Sequence, residues 1–190
     1  MVETTKVCKN TGLKTIAQTI AISRFYLHWE KLELHMSTEE KLEQLGYTLP
    51  ILPTSKGIYK RCLVDGNHLY VSGHISVNTD GSSITGKLGK DLNEEQGKAA
   101  AKQCGLAILS SIKDHFGTLN KIKRVMKLLG MVNATPEYEK HPIVINGCSE
   151  LFVELWGEDN GKGVRSAVGM GSLPGNVAVE IEAMFELNPA

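Results

Sequence analysis

Three ionisable side chains near the C-terminal end of the chain are of types that act on small organic acids. Arg165 follows an apolar residue, and Glu180 and Glu182 stand two residues apart within the closing apolar run 177–183. An arginine guanidinium donates parallel hydrogen bonds to a carboxylate, and each charge-assisted contact is worth roughly 1.5 to 3 kcal/mol. A glutamate accepts a proton from water. These residues predict a pocket that binds a small acid beside a general base.

The composition indicates one soluble globular domain. The chain has 190 residues, of which 42% are hydrophobic and 22% charged, and its formal net charge is zero. Equal numbers of cations and anions create no overall field for nucleic acid or an anionic membrane, so such a partner needs a local patch. The longest apolar stretches, such as residues 16–22, are shorter than the roughly 20 residues that span a bilayer. We therefore expect neither a membrane nor a nucleic-acid partner.

The cysteines and histidines show no metal-ligand spacing. No C-x-x-C or H-E-x-x-H motif is present, and the chain is long enough to fold without a disulfide framework. We expect reduced thiols in an intracellular protein, with neither a metal nor a cofactor. The four cysteines are Cys8, Cys62, Cys104 and Cys148.

Residues 1–36 differ in composition from the rest of the chain. Lysines and one arginine lie among Thr, Ile and Ala, which suits a mitochondrial targeting leader, but Glu3, Glu30 and Glu33 weaken its acid-poor signature. We favour an N-terminal extension, keep the leader as the alternative, and assign the globular domain to residues 37–190. The expected location is cytoplasmic, or mitochondrial if residues 1–36 are a leader.

The pattern of caps and apolar residues predicts the elements that would position the three side chains. Ser37 and Glu40 form a capping box for a short helix that Gly46 ends. Two long helices are predicted, one from Asn93 to Gly117 and one with Pro142 in its first turn. We expect Gly157 to end the latter and a loop to follow over residues 157–163. Predicted strands cover residues 59–64 and 68–72, a hairpin around Asp65-Gly66, then 122–132, 165–170 and 177–187.

This order predicts an α+β layer, a mixed sheet with both long helices on one face. In the last strand, a period of two places Val179 and Ile181 towards the helices and Glu180 and Glu182 away from them. Taken alone, the two glutamates suggest a solvated strand face. Arg165 in the neighbouring segment favours a binding site instead. The alternative to a solvated face is a face that another subunit buries.

Several separated motifs occur in an order that resembles the Rid family of reactive intermediate deaminases, also described as YjgF-like and endoribonuclease L-PSP-like proteins. The likeness runs from about residue 40 to residue 187 and is closest to the longer branch of the family. The motifs are Gly57-Ile-Tyr59, Val71-Ser-Gly73-His-Ile75, Val144-Ile-Asn146, Arg165-Ser-Ala167, and Leu173-Pro followed by Val179-Glu180-Ile-Glu182-Ala.

The resemblance implies a chorismate-mutase-like fold and a homotrimer with a ligand cleft at each subunit boundary. It also implies that Arg165 holds the carboxylate of a 2-imino or 2-enamino acid and that Glu180 positions the attacking water. Tyr59, Gly73 and Asn146 would line the cleft. The products would be a 2-keto acid and ammonia, and the enzyme would be a hydrolase that needs no cofactor.

The chain departs from the family pattern at several cleft positions. Ala167 stands where cysteine is usual, so only its main-chain amide can contact a carboxylate. His74 replaces a glutamine, and Ser76 a proline. Glu182, on the same strand face as Glu180, is expected to raise the affinity of Glu180 for protons by like-charge repulsion.

Two other functions stay open. One is a non-catalytic trimeric protein that binds a small carboxylate through Arg165. The other is an RNA-cleaving translation inhibitor, as the family history suggests, for which Lys121, Lys123, Arg124 and Lys127 supply a basic cluster. A charged strand face is the commoner explanation of such a cluster, and no aromatic platform is interleaved with it.

Overall fold

The computed structural model describes residues 36–54 and 57–189. Cys8 and the predicted leader or extension, apart from Met36, lie outside these residues. Within the described part of the chain, the helices are α1 (Thr38–Gln44), α2 (Glu94–Phe116) and α3 (His141–Gly161). The strands are β1 (Cys62–Asp65), β2 (His68–Ile75), β3 (Ile122–Asn133), β4 (Val164–Met170) and β5 (Val179–Leu187).

The strands form one mixed sheet in the order β1-β2-β5-β3-β4. All neighbouring pairs are antiparallel except β3 and β4, which are parallel and joined by the crossover helix α3. Both α2 and α3 pack on the same face of the sheet, and a single core of buried residues lies between the layers. The predicted α+β fold, a mixed sheet with two helices on one face, is confirmed.

Local capping signals define the starts of α1 and α2. The Ser37 hydroxyl accepts from the Glu40 amide, and the Glu40 carboxylate accepts from the Ser37 amide at 2.7 Å. At α2, the side chains of Asn93 and Gln96 each accept from the other residue's amide at 2.9 Å. Gly117 then ends α2 with a φ of 76°. These reciprocal bonds satisfy first-turn amides, which is why the sequence locates both helices well.

The two long helices approach each other closely. A Cβ built on Gly147 of α3 would overlap the Lys98 carbonyl of α2, and one built on Gly105 of α2 would lie 2.9 Å from Leu151. Glycine at these positions lets the backbones meet. The contact positions α3 over β3 and β4 and so determines where its side chains reach the sheet.

The structure corrects several boundaries: β2 extends to Ile75 rather than to residue 72, and β5 starts at Val179 rather than at residue 177. Asp65 pairs with His68, so Gly66 and Asn67 form the hairpin turn, and β1 starts at Cys62 rather than at residue 59. In α3, Gly157 has a φ of 75° and interrupts the helix as predicted, but helical structure resumes and extends to Gly161. The predicted loop 157–163 therefore shrinks to Lys162 and Gly163. No helix of the described residues is long and apolar enough to cross a membrane.

Candidate functional site

The strand register places Arg165 and Glu180 on opposite faces of the sheet. Arg165 pairs with Leu128 of β3, which pairs with Ala183 of β5, and both partners are buried beneath the helices. Glu180 lies in a different transverse row, opposite Met131 of β3. Side chains in one transverse row point to the same face, and those of successive residues alternate. With β3 also between them, the two side chains do not share a cavity within one chain.

Glu180 lies on the sheet face away from the helices and lines a cavity of about 850 Å³. A β-bulge lies beside it, because Ser72 and Gly73 of β2 together fall opposite Glu182. A Cβ built on Gly73 would overlap the Glu180 carboxylate, so the carboxylate occupies the space that a side chain would take. Bulges often redirect strands next to functional sites. Residues lining the cavity include Tyr59, Arg61, Gly73, His74, Glu180 and Glu182.

Burial raises the pKa of the Glu180 carboxyl above its usual value, and repulsion from Glu182 raises it further. Both effects disfavour the charged form: burial removes water from the carboxylate, and Glu182 presents a like charge on the same strand face. The predicted direction of the Glu182 effect is confirmed, although burial is the larger cause. A carboxylate with a raised pKa is a stronger base than an ordinary surface glutamate.

His74 points towards the helices and forms one end of the cavity as a packed residue. Its Nδ1 lies 2.7 Å from the Ser72 carbonyl and therefore donates, so Nε2 accepts from the Ser111 hydroxyl of α2 at 2.6 Å. Burial is the main cause that lowers the pKa of His74. The neutral imidazole, hydrogen-bonded at both ring nitrogens, connects β2 to α2.

Arg165 lies on the other face, under the N-terminal half of α3. Its Nη1 donates to the Ser149 hydroxyl at 3.0 Å, and its Nη2 donates to the Pro142 carbonyl at 3.0 Å and to Asn146 Oδ1 at 2.7 Å. These acceptors are spaced by four and three residues, so they share one face of α3. Among the described residues, two of the five N–H groups of the guanidinium remain without an acceptor and are available to a ligand carboxylate.

Asn146 and Ser149 therefore position Arg165. The sequence motif includes Asn146, but Ser149 was not predicted, although its spacing of three from Asn146 places it on the same helix face. The residues lining a separate cavity of about 510 Å³ include Leu128, Asn146, Ser149, Glu150 and Arg165.

Ala167 and Gly169 lie on the same face of β4 as Arg165. Ala167 packs against the core, and the ring of His141 lies directly against Gly169. Arg165, Asn146 and Ala167 thus form one group, and Tyr59, Gly73 and Glu180 form another. We call these the arginine half-site and the glutamate half-site.

The basic cluster on β3 is partly neutralised. Glu186 of β5 forms ion pairs with Lys123 at 2.7 Å and with Arg124 at 2.6 Å, and hydrogen bonding to Lys123 is the largest cause that lowers the Glu186 pKa. This pairing favours a charged strand face over an RNA-binding patch.

In the part of the chain that the structure covers, no group of three His, Cys, Asp or Glu residues is arranged to hold a metal ion.

Comparison with known proteins assigns the chain to a family. Residues 39–184 match the family described as "YjgF/chorismate mutase-like, putative endoribonuclease". Protein TCP17 of Trypanosoma cruzi is 38% identical over 147 residues, which cover 77% of this chain and 92% of TCP17.

Two solved structures have the same fold. The protein Atu1372 of Agrobacterium tumefaciens, with unknown function, is 40% identical with a TM-score of 0.72, and the match covers 80% of this chain and 94% of Atu1372. A "putative endoribonuclease" from Shewanella oneidensis is 26% identical with a TM-score of 0.75, covering 80% of this chain and all of that one. The chain therefore belongs to the YjgF/chorismate mutase-like family, which is the Rid family indicated by its motifs.

Proposed function

We propose that the protein hydrolyses 2-imino and 2-enamino acids to 2-keto acids and ammonia, at sites that two adjoining chains build together. The observation that carries this proposal is the division of the predicted site residues into two half-sites. The arginine half-site supplies a guanidinium with two N–H groups that are free within the described chain but does not include Glu180, whereas the cavity of the glutamate half-site includes Glu180 and lacks Arg165. Each chain thus presents one half of the machinery on each face of its sheet.

The chemistry needs few parts because an imine carbon is already electrophilic. Arg165 binds the substrate carboxylate, and Glu180 takes a proton from water as the oxygen attacks the C=N carbon. Glu180 returns this proton to the nitrogen, which gives the neutral carbinolamine. Transfer of the carbinolamine hydroxyl proton to the nitrogen through Glu180 then breaks the C–N bond and leaves the keto acid and ammonia. General-base help of this kind is typically worth about 10²- to 10⁴-fold.

The outer sheet face supports association between chains. One transverse row joins Leu63, Tyr70, Met184 and Lys127, and Val164 extends it on β4. Leu63 is 50% exposed, Tyr70 39% and Val164 71%. Contiguous exposed apolar surface commonly marks an interface, and most oligomers are closed and symmetric. In the proposed homotrimer this face is covered, and edge strand β4, which carries the arginine half-site of one chain, lies against the glutamate half-site of the next.

Subunit mixing tests the proposal directly. Arg165→Ala and Glu180→Gln chains are each expected to release ammonia at less than about 1% of the wild-type rate, from 2-iminopropanoate generated in situ by an amino-acid oxidase. Co-expressing the two variants in equal amounts should restore about a quarter of the wild-type activity. The reason is that an intact site needs Arg165 from one variant and Glu180 from the other across each boundary of a closed ring.

The control combines Arg165→Ala chains with chains that carry both substitutions, and it should restore nothing because no boundary then contains Arg165. Mixed oligomers, verified by differently tagged subunits, that stay inactive would contradict a shared site. A wild-type protein that binds 2-keto acids without releasing ammonia would instead support the non-catalytic carboxylate-binding alternative.

A further inference from the structure

An arginine other than Arg165 lines the cavity of the glutamate half-site. Arg61 immediately precedes β1 and lines the same 850 Å³ space as Tyr59, Gly73 and Glu180. Its Nη2 donates to the carbonyl of Pro53, another residue of the cavity wall. This hydrogen bond holds the guanidinium at the cavity instead of leaving it to extend into solvent. None of the sequence motifs included Arg61.

Arg61 has unused donor capacity. Among the described residues, no carboxylate lies within 4.0 Å of its guanidinium, whereas Arg124 is ion-paired with Glu186. The same cavity wall contains the carboxylates of Glu180 and Glu182. Without a cation, these two groups would repel an incoming ligand that is itself negatively charged at both ends. Arg61 offsets that repulsion and offers a planar fork for one more carboxylate.

The orientation of the substrate in the cavity follows from the proposed function, on which this inference rests. The 1-carboxylate is held by Arg165 of the adjoining chain, and the imine carbon lies beside Glu180. The substrate side chain then extends into the cavity that Tyr59 and Arg61 line. An apolar side chain leaves the Arg61 donors to water, but a side chain with an acid group satisfies them.

We infer that Arg61 is a specificity-determining residue that selects 2-imino acids with a second carboxylate on the side chain. Iminobutanedioate, the imine made by oxidising aspartate, is a small substrate of this class. The reaction balances as before: the imine and one water give the keto dicarboxylate and ammonia, with no additional reactant.

The test compares two imines in three proteins. 2-Iminopropanoate and iminobutanedioate are generated from alanine and aspartate by amino-acid oxidases, and keto-acid release is measured above the uncatalysed rate. Wild type is compared with Arg61→Gln, which keeps a donor for the Pro53 carbonyl but loses the charge. Lys60→Gln is the matched control, because it removes the same charge one residue away and Lys60 does not line this cavity.

We expect Arg61→Gln to lower kcat/KM for iminobutanedioate by about 10-fold, in line with one lost charge-assisted contact, mainly through KM. The value for 2-iminopropanoate should change by less than about 2-fold, and Lys60→Gln should affect neither substrate. Equal effects of Arg61→Gln on both imines, or no effect on either, would overturn the inference while leaving the deaminase in place. If wild type hydrolyses neither imine, the proposed function itself fails.

Discussion

Glu180 owes its properties to three features of its surroundings. Gly73 leaves room for the carboxylate, the cavity wall shields it from water, and Glu182 adds a like charge on the same strand face. Burial and repulsion both raise the pKa of Glu180, and burial contributes more. A general base works only when deprotonated, so activity should fall as the pH drops through this raised pKa.

Replacing Glu182 by Gln should move the acidic limb of the pH profile to lower pH. The substitution removes the repulsion, which lowers the Glu180 pKa and keeps the base ionised in more acidic solution. The measurement is kcat/KM for 2-iminopropanoate as a function of pH, which reports the free enzyme. Because burial persists in the variant, the pKa that the acidic limb reports should stay above the pKa of an ordinary glutamate. A limb that moves to higher pH, or does not move, would contradict the assignment of Glu180 as the base.

Among the elements, α3 has the closest connection to the arginine half-site. Its residues Pro142, Asn146 and Ser149 accept all three hydrogen bonds that Arg165 donates to the described chain. Gly147 lies among these residues and contacts the backbone of α2. The distance between the two helices therefore controls how Asn146 and Ser149 meet the guanidinium.

Gly147→Ala should destabilise the protein by about 1 to 3 kcal/mol, because the new methyl group would overlap the Lys98 carbonyl and push the helices apart. Urea denaturation followed by circular dichroism measures the loss. Gly171→Ala is the control: its Cβ would enter open space, so the free energy of unfolding should change by less than about 0.5 kcal/mol. Similar losses in the two variants would show that the helix contact is not the cause.

At the scale of the whole molecule, the uncovered sheet face is expected to bring chains together. Its central row combines Leu63 and Tyr70 with Met184 and Lys127, and the glutamate half-site opens on the same side. Light scattering should give wild type a mass about three times the 20.8 kDa of the chain.

Tyr70→Lys should shift this mass towards a single chain and abolish ammonia release, since a lysine buried at the interface would be desolvated without a partner. Leu45→Lys is a matched control, because Leu45 has the same 39% exposure as Tyr70 but lies at the end of α1, away from the sheet face. Dissociation in both variants, or an active Tyr70→Lys monomer, would contradict assembly through this face.

The elements of this fold could be predicted from the sequence because their signals are local. Asn93 and Gln96 cap α2 within one turn, Gly117 ends it, and alternation along β5 separates Ile181 from Glu180. Each signal depends on residues within a few positions of one another. The extension of α3 to Gly161 was missed because the chain leaves the helix at Gly157 and re-enters it against the main chain of Phe152 and Val153.

The family motifs predicted Tyr59, Gly73, Asn146 and Glu180 as site residues, but they contain no information about Arg61 or Ser149. Ser149 follows Asn146 at helical spacing, so its position was available in principle. Arg61 was not, since its place in the cavity depends on how the segment before β1 returns to Pro53.

Local sequence therefore determined which residues form each element and which face of β5 is acidic, and the family motifs supplied the candidate site residues. Only the tertiary structure decided how the two half-sites are divided. Arg165 and Glu180 stand on consecutive strands in sequence, yet β3 inserts between them and the register turns them to opposite faces. Strand order and register follow from burying the α2 and α3 core against the whole sheet, a non-local balance that no short stretch of residues specifies.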